Sequence, residues 1–271
     1  MGRLSSTQAE SLPASEFALS ETIRRVKFLA SQLRGLDAPR LIQVKVPSGG
    51  TLQWEISNGT DRPDYAAEIE GVIAAYDARN AYWLKPYGDG PKESPTCSSD
   101  NGVWGTDTDG NEFRCADCPR NVIGTDAKGR GKACKNMVRL LVLRETDALP
   151  LELILPAMSR ENYSAYLSRL SSMHLKASGV VTRITLAKAV NRDGTDYSRA
   201  QFKADGTVDA DLAAELQRCM AQIALPAAEI ERLDDGEANA ASTKTLEPDS
   251  DSQKNTPAAQ PENDKDDVPF E

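Results

Sequence analysis

Histidine is almost absent: His174 is the only one in 271 residues. Most chemistry that rests on an imidazole base or ligand goes with it. Long apolar runs are absent too. None approaches the roughly 18 residues that a membrane-spanning helix needs, so no membrane partner is expected. The chain does not open on a charged stretch followed by an apolar one, which predicts no secretory leader and a cytoplasmic location. Five cysteines are an odd number, and in a reducing compartment they do not read as a disulfide framework. No acidic cluster at metal-ligand spacing and no nucleophile–base pair stands out, so an enzyme is the least supported class.

Charge is present in quantity and unevenly spread. Acids outnumber bases 41 to 32, for a net charge of −9. Residues 236–271 hold nine acids against Lys244, Lys254 and Lys265, with Leu246, Val268 and Phe270 as their large apolar groups. Such a segment cannot offset the entropy of ordering and is predicted to be a disordered acidic tail. Residues 120–144 run the other way: Arg120, Lys128, Arg130, Lys132, Lys135, Arg139 and Arg144 face one acid, Asp126. So local an excess reads as a cationic patch.

Hydrophobic periodicity divides the rest. Ile23, Val26, Leu29 or Ala30, and Leu33 line one face of a helix over 20–35, with Ser20 as its cap. Strands are predicted at 41–46 and 52–56, around Pro47-Ser48-Gly49-Gly50. A strand over 67–76, a turn at Asp77-Ala78-Arg79-Asn80 and a returning strand over 81–84 follow. Further strands are expected at 138–143, 151–155, 180–187 and 197–203, with a turn at 191–195. Ser159 caps a helix over 160–173, and Asp209 caps another bearing Leu212, Leu216, Cys219 or Met220, and Ile223. Pro226 interrupts that helix, and a short coda ends near Leu233. The fold class is therefore mainly β (α+β), a small barrel or curled sheet with added helices. The expected organisation is a flexible N-terminus over 1–18, one domain over 19–235 and the tail.

Cys97, Cys115, Cys118 and Cys134 read C-x17-C-x2-C-x15-C. The C-x2-C knuckle puts two thiolates on one turn, and the outer pair completes a sulfur tetrahedron suited to one structural Zn²⁺ at about 2.3 Å per bond. Gly102, Gly105, Gly110, Gly124, Gly129 and Gly131 crowd the same interval, where few large apolar residues lie. A metal would be the core of this insertion, placed at about 91–136. An iron–sulfur cluster and four unrelated thiols are the competing readings. A deaminase site fails, because Pro119 follows the knuckle instead of preceding it and His174 lies far downstream. A phosphate loop fails at Arg130-Gly131. Cys219 sits on an apolar helical face and reads as core.

Six of the chain's 15 aromatics fall between 76 and 113: Tyr76, Tyr82, Trp83, Tyr87, Trp104 and Phe113. They lead into the cationic patch. Flat rings beside Lys and Arg suit unpaired nucleic acid, since every base has a face to stack and phosphates release counterions. The candidate contacts are Tyr82, Trp83, Lys85, Tyr87, Trp104, Arg120, Lys128, Arg130, Lys132, Lys135 and Arg139.

The chain ends Asp264-Lys265-Asp266-Asp267-Val268-Pro269-Phe270-Glu271. This resembles the acidic tip of bacterial single-stranded DNA-binding proteins, which end in an Asp run, an aliphatic residue, Pro and Phe. Here Glu271 follows the Phe. The body is similar to phage or mobile-element single-stranded DNA-binding proteins that combine an OB-type barrel with a four-cysteine zinc insertion. The matching residues are Gly71-Val72-Ile73, Tyr82-Trp83, Pro95-Thr96-Cys97-Ser98-Ser99, Cys115-Ala116-Asp117-Cys118-Pro119 and Gly131-Lys132-Ala133-Cys134-Lys135. The resemblance implies an OB-like barrel over roughly 40–225 with a zinc-ribbon-like insertion. It implies a non-enzymatic protein that coats single-stranded DNA with little sequence preference during replication or recombination. Asp266, Asp267, Val268, Pro269 and Phe270 would recruit replication or recombination proteins, and a further copy of the chain, as a homo-oligomer, is the other partner the resemblance allows. The alternative is a zinc-ribbon protein-interaction or transcription-associated factor that does not coat DNA.

Overall fold

The run Met137-Val138-Arg139-Leu140-Leu141-Val142-Leu143 lacks the polar alternation of a half-exposed strand, which marks a strand covered on both faces. In the computed structural model, which describes residues 12–37, 39–57, 62–84, 94–191 and 193–223, it is the buried strand β8 (Lys135–Leu143). The other strands are β1 (Ile42–Lys45), β2 (Trp54–Ile56), β3 (Asp64–Ala66), β4 (Glu68–Tyr82), β5 (Cys97–Ser99), β6 (Trp104–Asp107), β7 (Glu112–Arg114), β9 (Leu151–Leu155), β10 (Val180–Val190) and β11 (Asp196–Thr207). The helices are α1 (Leu19–Gln32), α2 (Ala157–Ser172) and α3 (Ala210–Gln222). The protein is thus mainly β, a large mixed sheet with three helices among the described residues. The chain divides into two units, Met1–Ala241 and Ser242–Glu271. The second lies wholly outside the described residues, with its tip residues Asp266, Asp267, Val268, Pro269 and Phe270. Lys85, Tyr87, residues 1–11 and Pro226 also lie outside them.

The sheet runs β3-β2-β1-β9-β8-β4-β5-β6-β7, and β10 joins β4 to β11. Every ladder is antiparallel except β1 with β9, where Val44 lies opposite Leu153. The expected closed barrel is not formed: among the described residues β11 has a ladder only to β10, and β3 only to β2. The curl is drawn together at single points instead. Ser48 bridges Tyr197, the Ser198 hydroxyl donates to the Thr51 carbonyl at 2.7 Å, and the Trp54 indole N–H donates to the Ile184 carbonyl at 3.2 Å. The Ser48–Tyr197 bridge is flanked by Pro47, which has no N–H, and by Gly49 and Gly50, which hold φ of 69° and 74°.

Apolar residues sort to two faces. Inside the curl lie Val44, Trp54, Ile69, Ile73, Leu140, Val142, Leu153 and Ile184, joined by Tyr163, Tyr166 and Leu170 of α2. On the other face Leu19, Ile23 and Val26 of α1 and Leu216, Cys219 and Met220 of α3 cover Val72, Ala74 and Leu143. Cys219 is core, as its position on the helix predicts. Gly71 lets β4 approach β8, because a Cβ there would lie 2.5 Å from the Leu143 carbonyl oxygen. No helix among the described residues is long and apolar enough to cross a membrane.

The turn expected at Asp77–Asn80 does not exist; β4 runs through it. A bulge between Ile73 and Ala75 resets the pleat, so Ile73 and Tyr76 both serve the inner face although three residues apart. The polar residues beyond it all find partners. Arg79 meets Asp77 and Asp100, and Asn80 meets Asn136 and the Gly102 carbonyl. Two expected caps also differ. Ala18, not Ser20, precedes α1, and Ser159 lies inside α2, where its hydroxyl accepts the Ala200 N–H at 3.0 Å. Asp209 caps α3 as expected, accepting the Asp211 and Leu212 N–H groups.

Candidate functional site

The cysteine insertion is a lobe hung from the end of β4. β5 pairs with β4, placing Cys97 opposite Tyr82, and β6 and β7 extend the ladder outward. Cys115 closes β7 and donates its N–H to the Val103 carbonyl at 2.8 Å. Cys118 opens the short turn Pro119–Asn121, and Cys134, whose N–H reaches the Arg120 carbonyl at 2.9 Å, opens β8. Three stretches of chain, the β5 strand, the Cys115–Cys118 knuckle and the start of β8, thus carry the four thiols of the lobe.

Two of the thiols meet at Gly105: a Cβ there would stand 3.2 Å from the Cys97 sulfur and 3.6 Å from that of Cys115, crowding the first. Burial pushes the Cys134 thiol up to about 12, and negative charge on Cys118, Cys115 and Cys97 adds to it. Cys97 is also raised, by burial first and then by Cys118 and Cys115. The four therefore lie in mutual electrostatic range. Among the described residues no three His, Cys, Asp or Glu side chains are closed into a metal-holding group. Four cysteine thiols are the donor type that a soft cation prefers in a tetrahedral site.

A polar chain fixes this lobe to the sheet. Asn80 donates to the Gly102 carbonyl, Asn136 donates to Asn80 at 2.7 Å, and the Lys132 ammonium donates to Asn136 at 3.0 Å and to Asn121 at 3.1 Å. Asn121 donates in turn to the Cys115 carbonyl at 2.8 Å. Lys132 therefore acts as an internal brace, not as the free phosphate contact the sequence predicts.

The other expected contacts divide as sharply. Trp83 is only 9% exposed, packed with Ala81 and Met137, and offers no face for stacking. Arg139 is buried and stands 2.5 Å from the buried Glu152, so it is part of the sheet's interior and not of a groove. Lys135 is half-buried with a partner of its own. Tyr82 is half-buried beneath the Arg120 guanidinium, which sits 4.3 Å from the ring centre. Trp104 is 53% exposed and Phe113 46% exposed, and Val103, next to Trp104, and Val122 and Ile123, after the knuckle, are exposed as well. Lys128 and Arg130 are exposed enough to meet a ligand, yet both are engaged by Asp193 of the β10–β11 turn.

Sequence reasoning missed three residues. Arg114 lies outside the 120–144 patch but stands directly across the ladder from Trp104. Asn121 joins Lys132 to the knuckle, and its place two residues after Pro119 was the available signal. Asp193 was legible only as part of a turn. No family model, no curated protein and no solved structure matches the chain.

Proposed function

We propose that this chain is a non-enzymatic binder of single-stranded nucleic acid, DNA in the first instance, with one structural Zn²⁺ held by Cys97, Cys115, Cys118 and Cys134. The observation that carries the reading is Trp104: a large ring left open to solvent, with Arg114 opposite it, on a lobe braced to the sheet. An open ring on the same edge of the ladder as a guanidinium suits a base and its phosphate. Zinc would stiffen the lobe that carries Trp104, Arg114 and Arg120. A curled sheet of OB type fits this platform, and the acidic tail would recruit replication or recombination proteins.

A protein-binding zinc ribbon is the second reading. It is favoured by the apolar exposure of Val122 and Ile123 on the same lobe. Titrating the full chain with oligo-dT and with duplex at several salt concentrations separates the two. Single-strand binding should be tighter than duplex binding, with a log–log salt slope of about −2 to −3 for three or four neutralised phosphates. No uptake, or a slope near zero, supports the protein-binding ribbon instead.

A further inference from the structure

The cationic loop of this lobe already holds an anion, and it belongs to the protein. Asp193 reaches Lys128 Nζ with one carboxylate oxygen at 2.5 Å, while Arg130 NH2 donates to both oxygens at 2.9 and 3.3 Å. We propose that Lys128 and Arg130 form a two-pronged phosphate site, that Asp193 occupies it when no strand is bound, and that a phosphodiester must expel this carboxylate. The proposal rests on the nucleic-acid reading above and adds to it how the site is regulated.

Both partners are complete without the contact. In the loop, the N–H groups of Gly124, Thr125 and Asp126 converge on the Gly131 carbonyl, and the Asp126 carboxylate accepts the Arg130 N–H at 2.6 Å. In the turn, Asn191 Oδ1 accepts the N–H groups of Asp193 and Thr195, both at 2.9 Å. Neither segment needs the ion pair to keep its shape. Surface pairs of this exposure add little to folding, so one can open at low cost.

The chemistry of exchange is direct. A carboxylate and a phosphodiester both present two anionic oxygens to an ammonium and a guanidinium fork. Other cations of the patch are not exchangeable in this way. Lys132 is held by two asparagines inside the brace, and Arg139 is buried with Glu152. Lys128 and Arg130 are the pair whose partner is itself exposed and displaceable.

The test compares full-length wild type, Asp193→Asn, Lys128→Gln/Arg130→Gln and the triple combination in oligo-dT titrations over a salt series. Urea melts check that each variant is folded. Asp193→Asn should bind about threefold tighter or better at low salt, with a slope steeper by about 0.7 for the one charge no longer answered internally. In the Lys128→Gln/Arg130→Gln background the same change should have no effect. If wild type binds and Asp193→Asn binds equally or more weakly, the inference falls while the nucleic-acid reading stands. If no folded variant binds, the nucleic-acid reading falls and takes the inference with it.

Discussion

Replacing Trp104 with alanine separates stacking from charge. The chain has three tryptophans. Trp54 is fully buried with its indole N–H bonded to Ile184, Trp83 is packed in a small core, and Trp104 alone opens its ring to solvent. One stacked base is worth about 1–3 kcal/mol, which is about five- to 150-fold in affinity at about 1.4 kcal/mol per factor of ten. Truncating a side chain this exposed should change folding stability by no more than about 0.5 kcal/mol. Trp104→Ala is therefore expected to lose about five- to 150-fold in oligo-dT affinity, with the salt slope unchanged because no cation is removed. Its urea midpoint should hold. Fluorescence gives a second reading of the same contact. Strand binding should quench the solvent-exposed part of the emission and leave that of Trp54 and Trp83. Trp104→Phe should keep most of the affinity and abolish the quench. Unchanged affinity in Trp104→Ala, or full quenching in Trp104→Phe, would refute the assignment.

Three further outcomes follow from the packing. Arg139→Met should cost about 3–5 kcal/mol, since it strands the buried Glu152 carboxylate, whereas Arg139→Met/Glu152→Met should recover most of it; chemical denaturation that finds the double variant no better than the single contradicts this. His174 sits at φ 57° just past α2, where its own N–H and that of Leu175 close onto Ser171 and Leu170, so His174→Gly should gain about 1 kcal/mol; a loss in the urea midpoint would count against a structural role. The Lys27 ammonium, hydrogen-bonded to Glu215, holds that carboxyl below its ordinary value. A depressed acid stabilises the fold above its unfolded pKa and ceases to as pH falls through the lowered one. The stability difference between wild type and Lys27→Met should therefore be full at neutral pH and vanish in acid; a difference that persists in acid contradicts the pairing.

What the sequence made legible was local. The Asp209 cap and the strands β1, β2 and β9 depend on neighbours a few residues away, and they stand where the local pattern put them. What it hid was the partner across space. Asp77-Ala78-Arg79-Asn80 has the composition of a turn, yet Asp100 and Asn136 lend these residues the partners that let a strand continue. Trp83 and Trp104 look alike in a list of aromatics, and only the sheet decides which is core. Lys128 and Arg130 are visible as charge, but their distant partner Asp193 is not. The parallel pairing of β1 with β9 leaves no mark in periodicity, which is why an open curl and a closed barrel read alike.

The most direct measurement is metal content and oligo-dT uptake determined together on natively purified protein. The account predicts one zinc per chain, with Cys97→Ser or Cys118→Ser losing both the metal and most of the single-strand affinity. Metal-free native protein whose uptake is indifferent to those substitutions would contradict it.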